Sequence, residues 1–104
     1  MRMIFYSGVL ATLLIPAAAR SNANQPVTID NFAFSPATLT VAKGEQITWT
    51  NRDDIPHSIV MPGTGVHSKA LDTDDSFSYQ FDKTGTFSYV CGLHPHMHGQ
   101  IVVR

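Results

Sequence analysis

Among 104 residues the sequence carries one cysteine, only 14% charged residues, and seven Lys and Arg against eight Asp and Glu. One cysteine cannot close an intramolecular disulfide, which excludes a small fold stapled by cystines. A formal charge of −1 offers no cationic face to neutralise phosphates, so nucleic-acid binding is disfavoured as well. No apolar run reaches the ~20 residues that a spanning helix requires. The sequence also lacks internal repeats, low-complexity tracts and any Asn-x-Ser/Thr acceptor.

The first residues read as an address. Met1-Arg2 is a short positive region, Met3 to Ile15 is mostly apolar, and Pro16 is followed by small residues at Ala17-Ala18-Ala19 and again at Ala23. Cleavage is expected after Ala19 or Ala23, with Ala23 favoured. Residues 1–23 are therefore expected to be a secretory signal peptide and 24–104 a single domain, exported to the periplasm with no membrane anchor after cleavage. A domain of about 80 residues buries only about 60% of its unfolded surface, so a crosslink would help it. A bound metal can supply one where a disulfide cannot. Export also makes the single thiol, Cys91, a liability unless something protects it.

Beyond residue 23 the pattern is that of short strands. Beta-branched and aromatic residues cluster over Val27–Phe34, Thr38–Val41, Gln46–Asn51, Ser58–Met61, Ser76–Phe81, Thr86–Cys91 and Gln100–Val103. Ile47 and Trp49 alternate with polar neighbours, as do Phe77, Tyr79 and Phe81, so one face of each strand is expected to meet a core. Turn-forming clusters separate the runs, among them Lys43-Gly44, Arg52-Asp53-Asp54 and Lys83-Thr84-Gly85. The expectation is an all-β, antiparallel sandwich or barrel with no helix, and with a long loop over Gly63–Asp75. Asp72-Thr73-Asp74-Asp75 in that loop lacks the following Gly and distal Glu of a calcium loop and reads as a solvated acidic turn.

The chemistry concentrates near the C-terminus. Tyr89-Val90-Cys91-Gly92-Leu93-His94-Pro95-His96-Met97-His98-Gly99 places a thiolate, an imidazole and a thioether at three-residue steps, and Ile55-Pro56-His57-Ser58 adds an upstream imidazole. His57, Cys91, His94 and Met97 together have the donor composition of a blue-copper site. The thiolate suits Cu(I), the imidazoles accept both oxidation states, and a weak axial thioether avoids imposing a square-planar field. Each residue alone has a plainer reading: a strand-end Cys or a Met as core filler, a His as a surface group. Together, in an exported chain with one cysteine, they specify a metal site. His67, His96 and His98 read as surface residues.

These motifs, with Asn31-Phe32-Ala33-Phe34-Ser35-Pro36 and Gly44-Glu45-Gln46-Ile47-Thr48-Trp49-Thr50-Asn51, resemble the cupredoxins. Within that family the short Cys-x-x-His-x-x-Met loop is most similar to the amicyanin group. The resemblance implies a Greek-key sandwich of about seven to eight strands, with one type 1 copper near one end. It also implies His57, Cys91 and His94 as equatorial ligands, Met97 as axial ligand, and an N–H bond from Ser58 to the thiolate. His94 would present its ring edge through an apolar patch with Pro95, Met61 and Pro62. The implied function is a non-enzymatic blue copper protein that carries single electrons by Cu(II)/Cu(I) cycling. Its expected partners are a dehydrogenase or a c-type cytochrome in transient contact near His94, and a monomer is expected. Two departures from the amicyanin pattern stand out: the N-terminal segment is shorter, and His96 replaces an apolar aromatic, with His98 adding another imidazole. The alternative is a copper trafficking or resistance protein using His94, His96, Met97 and His98. A copper enzyme such as a nitrite reductase would need a second copper and usually a second domain, which a chain this short does not supply.

Overall fold

The structure, a computed structural model, describes residues 23–104. The secretory segment expected over 1–23 lies outside the described residues apart from Ala23. Among the described residues nine strands form two sheets: β1 (Asn24–Asp30), β2 (Ala33–Ser35), β3 (Thr38–Val41), β4 (Gln46–Asn51), β5 (Val60–Met61), β6 (Val66–His67), β7 (Ser76–Gln80), β8 (Gly85–Val90) and β9 (His98–Val103). One sheet has the order β2-β1-β4-β7 and the other β3-β9-β8-β5-β6. No helix occurs among the described residues. The all-β sandwich expected from the sequence is the architecture found.

Three features differ from the expectation. The sheets are mixed rather than antiparallel, because β1 runs parallel to β4 and β3 parallel to β9. Alternation dictates which face of a strand is buried but not the direction of its neighbour. The run Val27–Phe34 is also not one strand. It breaks at Asn31 and Phe32, which take left-handed backbone angles, φ 53° and 58°, and fold β2 back onto β1. Within the stretch expected to be loop, Gly63–Asp75, a two-residue strand, β6, pairs back onto β5 as a short hairpin.

The core lies between the sheets. Ile47 and Trp49 of β4, with Val27 and Ile29 of β1 in the same sheet, form one buried cluster with Tyr89 of β8 and Ile101 of β9 in the other. Tyr89 is gripped edge-on by Phe34 and Trp49, with ring centroids at 4.7 and 5.3 Å. Burial of such large side chains is the main stabilising term, on the order of 1.5–3 kcal/mol each. Cys91 and Met97 belong to this same cluster, so two of the four expected donors are part of the core.

Candidate metal centre

His57 is delivered by the connection that leaves β4. Asn51, the last residue of that strand, is fully buried, and its amide N–H groups donate to the carbonyls of Ile55 and Leu71 at 2.9 and 2.8 Å. Its amide oxygen accepts from the Asp53 N–H at 2.9 Å. One side chain thus ties down the turn that leads to Pro56 and His57. His57 then pairs with Leu71 as an isolated bridge, its N–H donating at 3.1 Å and its carbonyl accepting at 2.7 Å. The ring is fully buried.

Cys91 and its neighbours come from the β8–β9 connection. Cys91 follows β8 directly, and its N–H donates to the Met97 carbonyl at 3.2 Å, while the Met97 N–H donates to the His94 carbonyl at 2.9 Å. These bonds close the loop on itself. Gly92 opens the loop against Ser58: its N–H donates to Ser58 Oγ at 3.0 Å, and a Cβ there would lie 2.7 Å from that oxygen.

The two segments meet at the thiol. Cys91 Sγ lies 3.5 Å from His57 Nδ1 and 3.7 Å from His94 Nδ1. The three donor atoms all stand within 4.8 Å of one another, and Met97 is buried beside them. Bond lengths of about 2.0 Å to imidazole and about 2.3 Å to thiolate place donors in a trigonal plane about 3.5–3.7 Å apart, so the spacing fits a single ion. A soft thiolate with two imidazoles and a thioether is the donor set that suits copper in both oxidation states. Ser58 N–H donates to Cys91 Sγ at 3.4 Å, the bond expected from the family resemblance.

Of these four residues only His94 is not fully enclosed. Around it the structure corrects one expectation: Met61 belongs to the core, 1% exposed, because β5 turns it inward, so it does not line the surface near His94. Phe32 stands there instead. Its ring is 47% exposed and meets the His57 and His94 rings edge-on, with centroids at 5.6 and 5.4 Å. Leu93 and Pro95, on either side of His94, are exposed too. His67, His96 and His98 lie on the surface as expected, with the His96 ring centroid 6.3 Å from that of His94. The acidic turn is likewise solvent-exposed, and Asp74 pairs with Arg52.

Sequence reading missed Asp53. Its carboxylate, 11% exposed, accepts from His57 Nε2 at 2.7 Å and from the N–H groups of Asn31 and Phe32. Burial pushes this carboxyl up, but the Phe32 and Asn31 N–H donors and the His57 ring outweigh it and hold it below its ordinary value. In sequence it stood in a polar turn cluster, and only its place four residues before His57 hinted at a role.

Comparison with known proteins agrees with this geometry. The cupredoxin-like domain family model matches residues 3–103. Amicyanin-alpha of Methylorubrum extorquens is 28% identical over the full length of both chains. Chloroplastic plastocyanin of Tetradesmus obliquus is 33% identical over 94% of this chain and 78% of its own. Among solved structures, a purple cupredoxin from Nitrosopumilus maritimus superposes with a TM-score of 0.70 at 28% identity, covering 77% of this chain and 99% of that one. The Cu(I) form of an amicyanin variant superposes with a TM-score of 0.76 at 27% identity, covering 84% and 88%. The family match spans nearly the whole chain and agrees with the two-sheet fold and with the donors gathered at its end: the chain belongs to the cupredoxin family.

Proposed function

We propose that this cupredoxin is a periplasmic single-electron carrier in which His57, Cys91 and His94 hold one type 1 copper equatorially and Met97 holds it axially. The observation that carries this reading is the meeting of the His57, Cys91 and His94 donor atoms within 4.8 Å, at the end of the core, with Met97 buried beside them. When bound, copper supplies one-electron chemistry between Cu(II) and Cu(I). The chain's own residues make that exchange easy. Cys91 is anchored by the end of β8, His57 by its bridge to Leu71, and both by the Asn51 and Ser58 hydrogen bonds, so the donors move little when the charge changes. The Ser58 N–H stabilises negative charge on Sγ and thereby favours the reduced state. His94, the partly exposed member, is the natural port for the electron, framed by Phe32, Leu93 and Pro95. This face suits brief contact with a redox protein such as a dehydrogenase or c-type cytochrome. The carrier acts as a monomer, is not an enzyme, and reaches the periplasm through a signal peptide over residues 1–23.

A second reading, copper trafficking or resistance, rests on the exposed His96 and His98 beside the site. Enclosure of three of the four donors favours the carrier, since a trafficking site has to release its ion readily. The copper-loaded protein tests both. An intense visible thiolate-to-copper absorption and a reversible one-electron wave are expected. A colourless copper-loaded protein would refute the carrier, and rapid Cu(I) loss to a chelator without a redox wave would favour trafficking.

A further inference from the structure

Asp53 makes more contacts around the site than a solvated turn residue would. Oδ2 accepts from His57 Nε2 at 2.7 Å and from the Phe32 N–H at 2.9 Å, while Oδ1 accepts from the Asn31 N–H. Three donors on one carboxylate leave it little freedom to rotate. Its own backbone is fixed as well, because its N–H donates to the buried Asn51 amide and its carbonyl accepts from Thr73 Oγ1.

The partners are informative. His57 directs Nδ1 to within 3.5 Å of Cys91 Sγ, so its outer nitrogen, Nε2, is left to meet the carboxylate. An ionised carboxylate only accepts, so Nε2 carries the proton and Nδ1 keeps its lone pair for a metal. Asn31 and Phe32 hold left-handed backbone angles, and for a bulky aromatic such an angle is a departure that the surroundings must enforce. The carboxylate holds both N–H groups of that turn, and the turn lays the Phe32 ring against the His57 and His94 rings.

We infer that Asp53 is a positioning residue for the copper centre: it fixes the tautomer and orientation of His57 from the outer side, and it holds the turn that places Phe32 over both imidazoles. The inference rests on His57 being a copper ligand. A carboxylate behind a ligating imidazole raises its basicity and favours the more highly charged ion, so Asp53 stabilises Cu(II) relative to Cu(I).

The test compares the copper-loaded protein with its Asp53→Asn variant by competitive copper titration, voltammetry and visible absorption. Cu(II) affinity is expected to fall about tenfold with Cu(I) affinity less affected, which raises the reduction potential by up to about 59 mV for a one-electron couple. A potential compares two oxidation states of the same folded protein, so a purely structural loss would leave it unchanged. A variant that keeps the blue absorption, both affinities and the potential would overturn the role of Asp53 while leaving the carrier reading intact. A parent protein without the absorption would overturn the carrier reading and this inference with it. Proton NMR of the parent Cu(I) protein decides the matter independently of how the variant folds. A slowly exchanging His57 Nε2–H is expected, and an unprotonated or freely exchanging Nε2 would overturn the inference.

Discussion

The Tyr89 ring lies across the backbone of its cross-strand partner, Gly99: a Cβ built on Gly99 would fall 2.2 Å from Tyr89 Cζ. The glycine is required because the ring has nowhere else to go, with Phe34 and Trp49 packed edge-on against it. Gly99→Ala is therefore expected to lower the stability of the metal-free protein by about 1–3 kcal/mol, the usual cost of overpacking. Denaturant unfolding gives the measurement. A variant as stable as the parent would mean that the ring moves aside freely.

Alkali should reveal the same residue. Burial pushes the Tyr89 phenol up to about 12 from its ordinary value of 10, opposed by a smaller effect of the Trp49 indole, although the two groups do not meet hydrogen-bond geometry. The folded state therefore binds the phenolic proton more tightly than the unfolded state does. This contribution is complete below about pH 10 and is lost as pH rises through about 12. Stability measured across that range should fall in the parent and stay flatter in Tyr89→Phe. At neutral pH the Phe variant should be as stable as the parent or more so, since Tyr89 Oη has no hydrogen-bond partner among the described residues.

How far the sequence disclosed all this varies with the kind of information involved. Strands β4 and β7 were legible because Ile47 and Trp49, and Phe77 and Tyr79, alternate with polar residues, and period two is local. The turn at Asn31 and Phe32 was not, because nothing in a Phe announces a left-handed angle; the Asp53 N–H acceptors that hold it lie more than twenty positions away. Strand β6 has two residues, too few for any period. The convergence of His57 with Cys91 and His94 was readable from chemical type and loop spacing. Asp53 was not, since an acid in a turn cluster looks solvated until the fold places it behind the imidazole. Met61 went the other way: its neighbour Pro62 is exposed, but the short strand β5 turns Met61 into the core.

Ser58 joins the two halves of the site, its N–H to Cys91 Sγ and its Oγ to the Gly92 N–H. Ser58→Ala keeps the first bond and removes the second, leaving the Gly92 N–H without its acceptor. A loss of about 1–3 kcal/mol is expected in the metal-free protein, together with faster copper loss to a chelator as the start of the ligand loop loosens. Unchanged release kinetics would show that the loop is held by its internal Cys91–Met97 and Met97–His94 bonds alone.

Copper itself should act as the missing crosslink, since His57 and Cys91 arrive from separate connections. At a free metal concentration a thousand times the dissociation constant, binding adds about 4 kcal/mol to stability. Calorimetry should show a higher Tm for the loaded protein and a return to the metal-free value on chelation. Cys91→Ser should abolish both the visible absorption and this increment, whereas Met97→Gln should keep a shifted absorption with a changed potential. Cys91→Ser that retained the absorption would mean that the thiolate is not its source.

Phe32 and Asp53 touch the same imidazole and should move the potential in opposite directions. Copper bound to one thiolate carries a net charge of about +1 as Cu(II) and about 0 as Cu(I), so a drier surrounding favours the reduced form. The Phe32 ring covers the edges of both His57 and His94. Phe32→Ala admits water to those edges and should lower the potential, where Asp53→Asn should raise it by removing a negative charge. The Ala variant leaves the Asp53–His57 bond available, so any fall belongs to solvent access rather than to a reoriented ligand. Voltammetry of the two variants side by side checks this. A potential that rises in Phe32→Ala, or falls in Asp53→Asn, would refute the effect assigned to that residue.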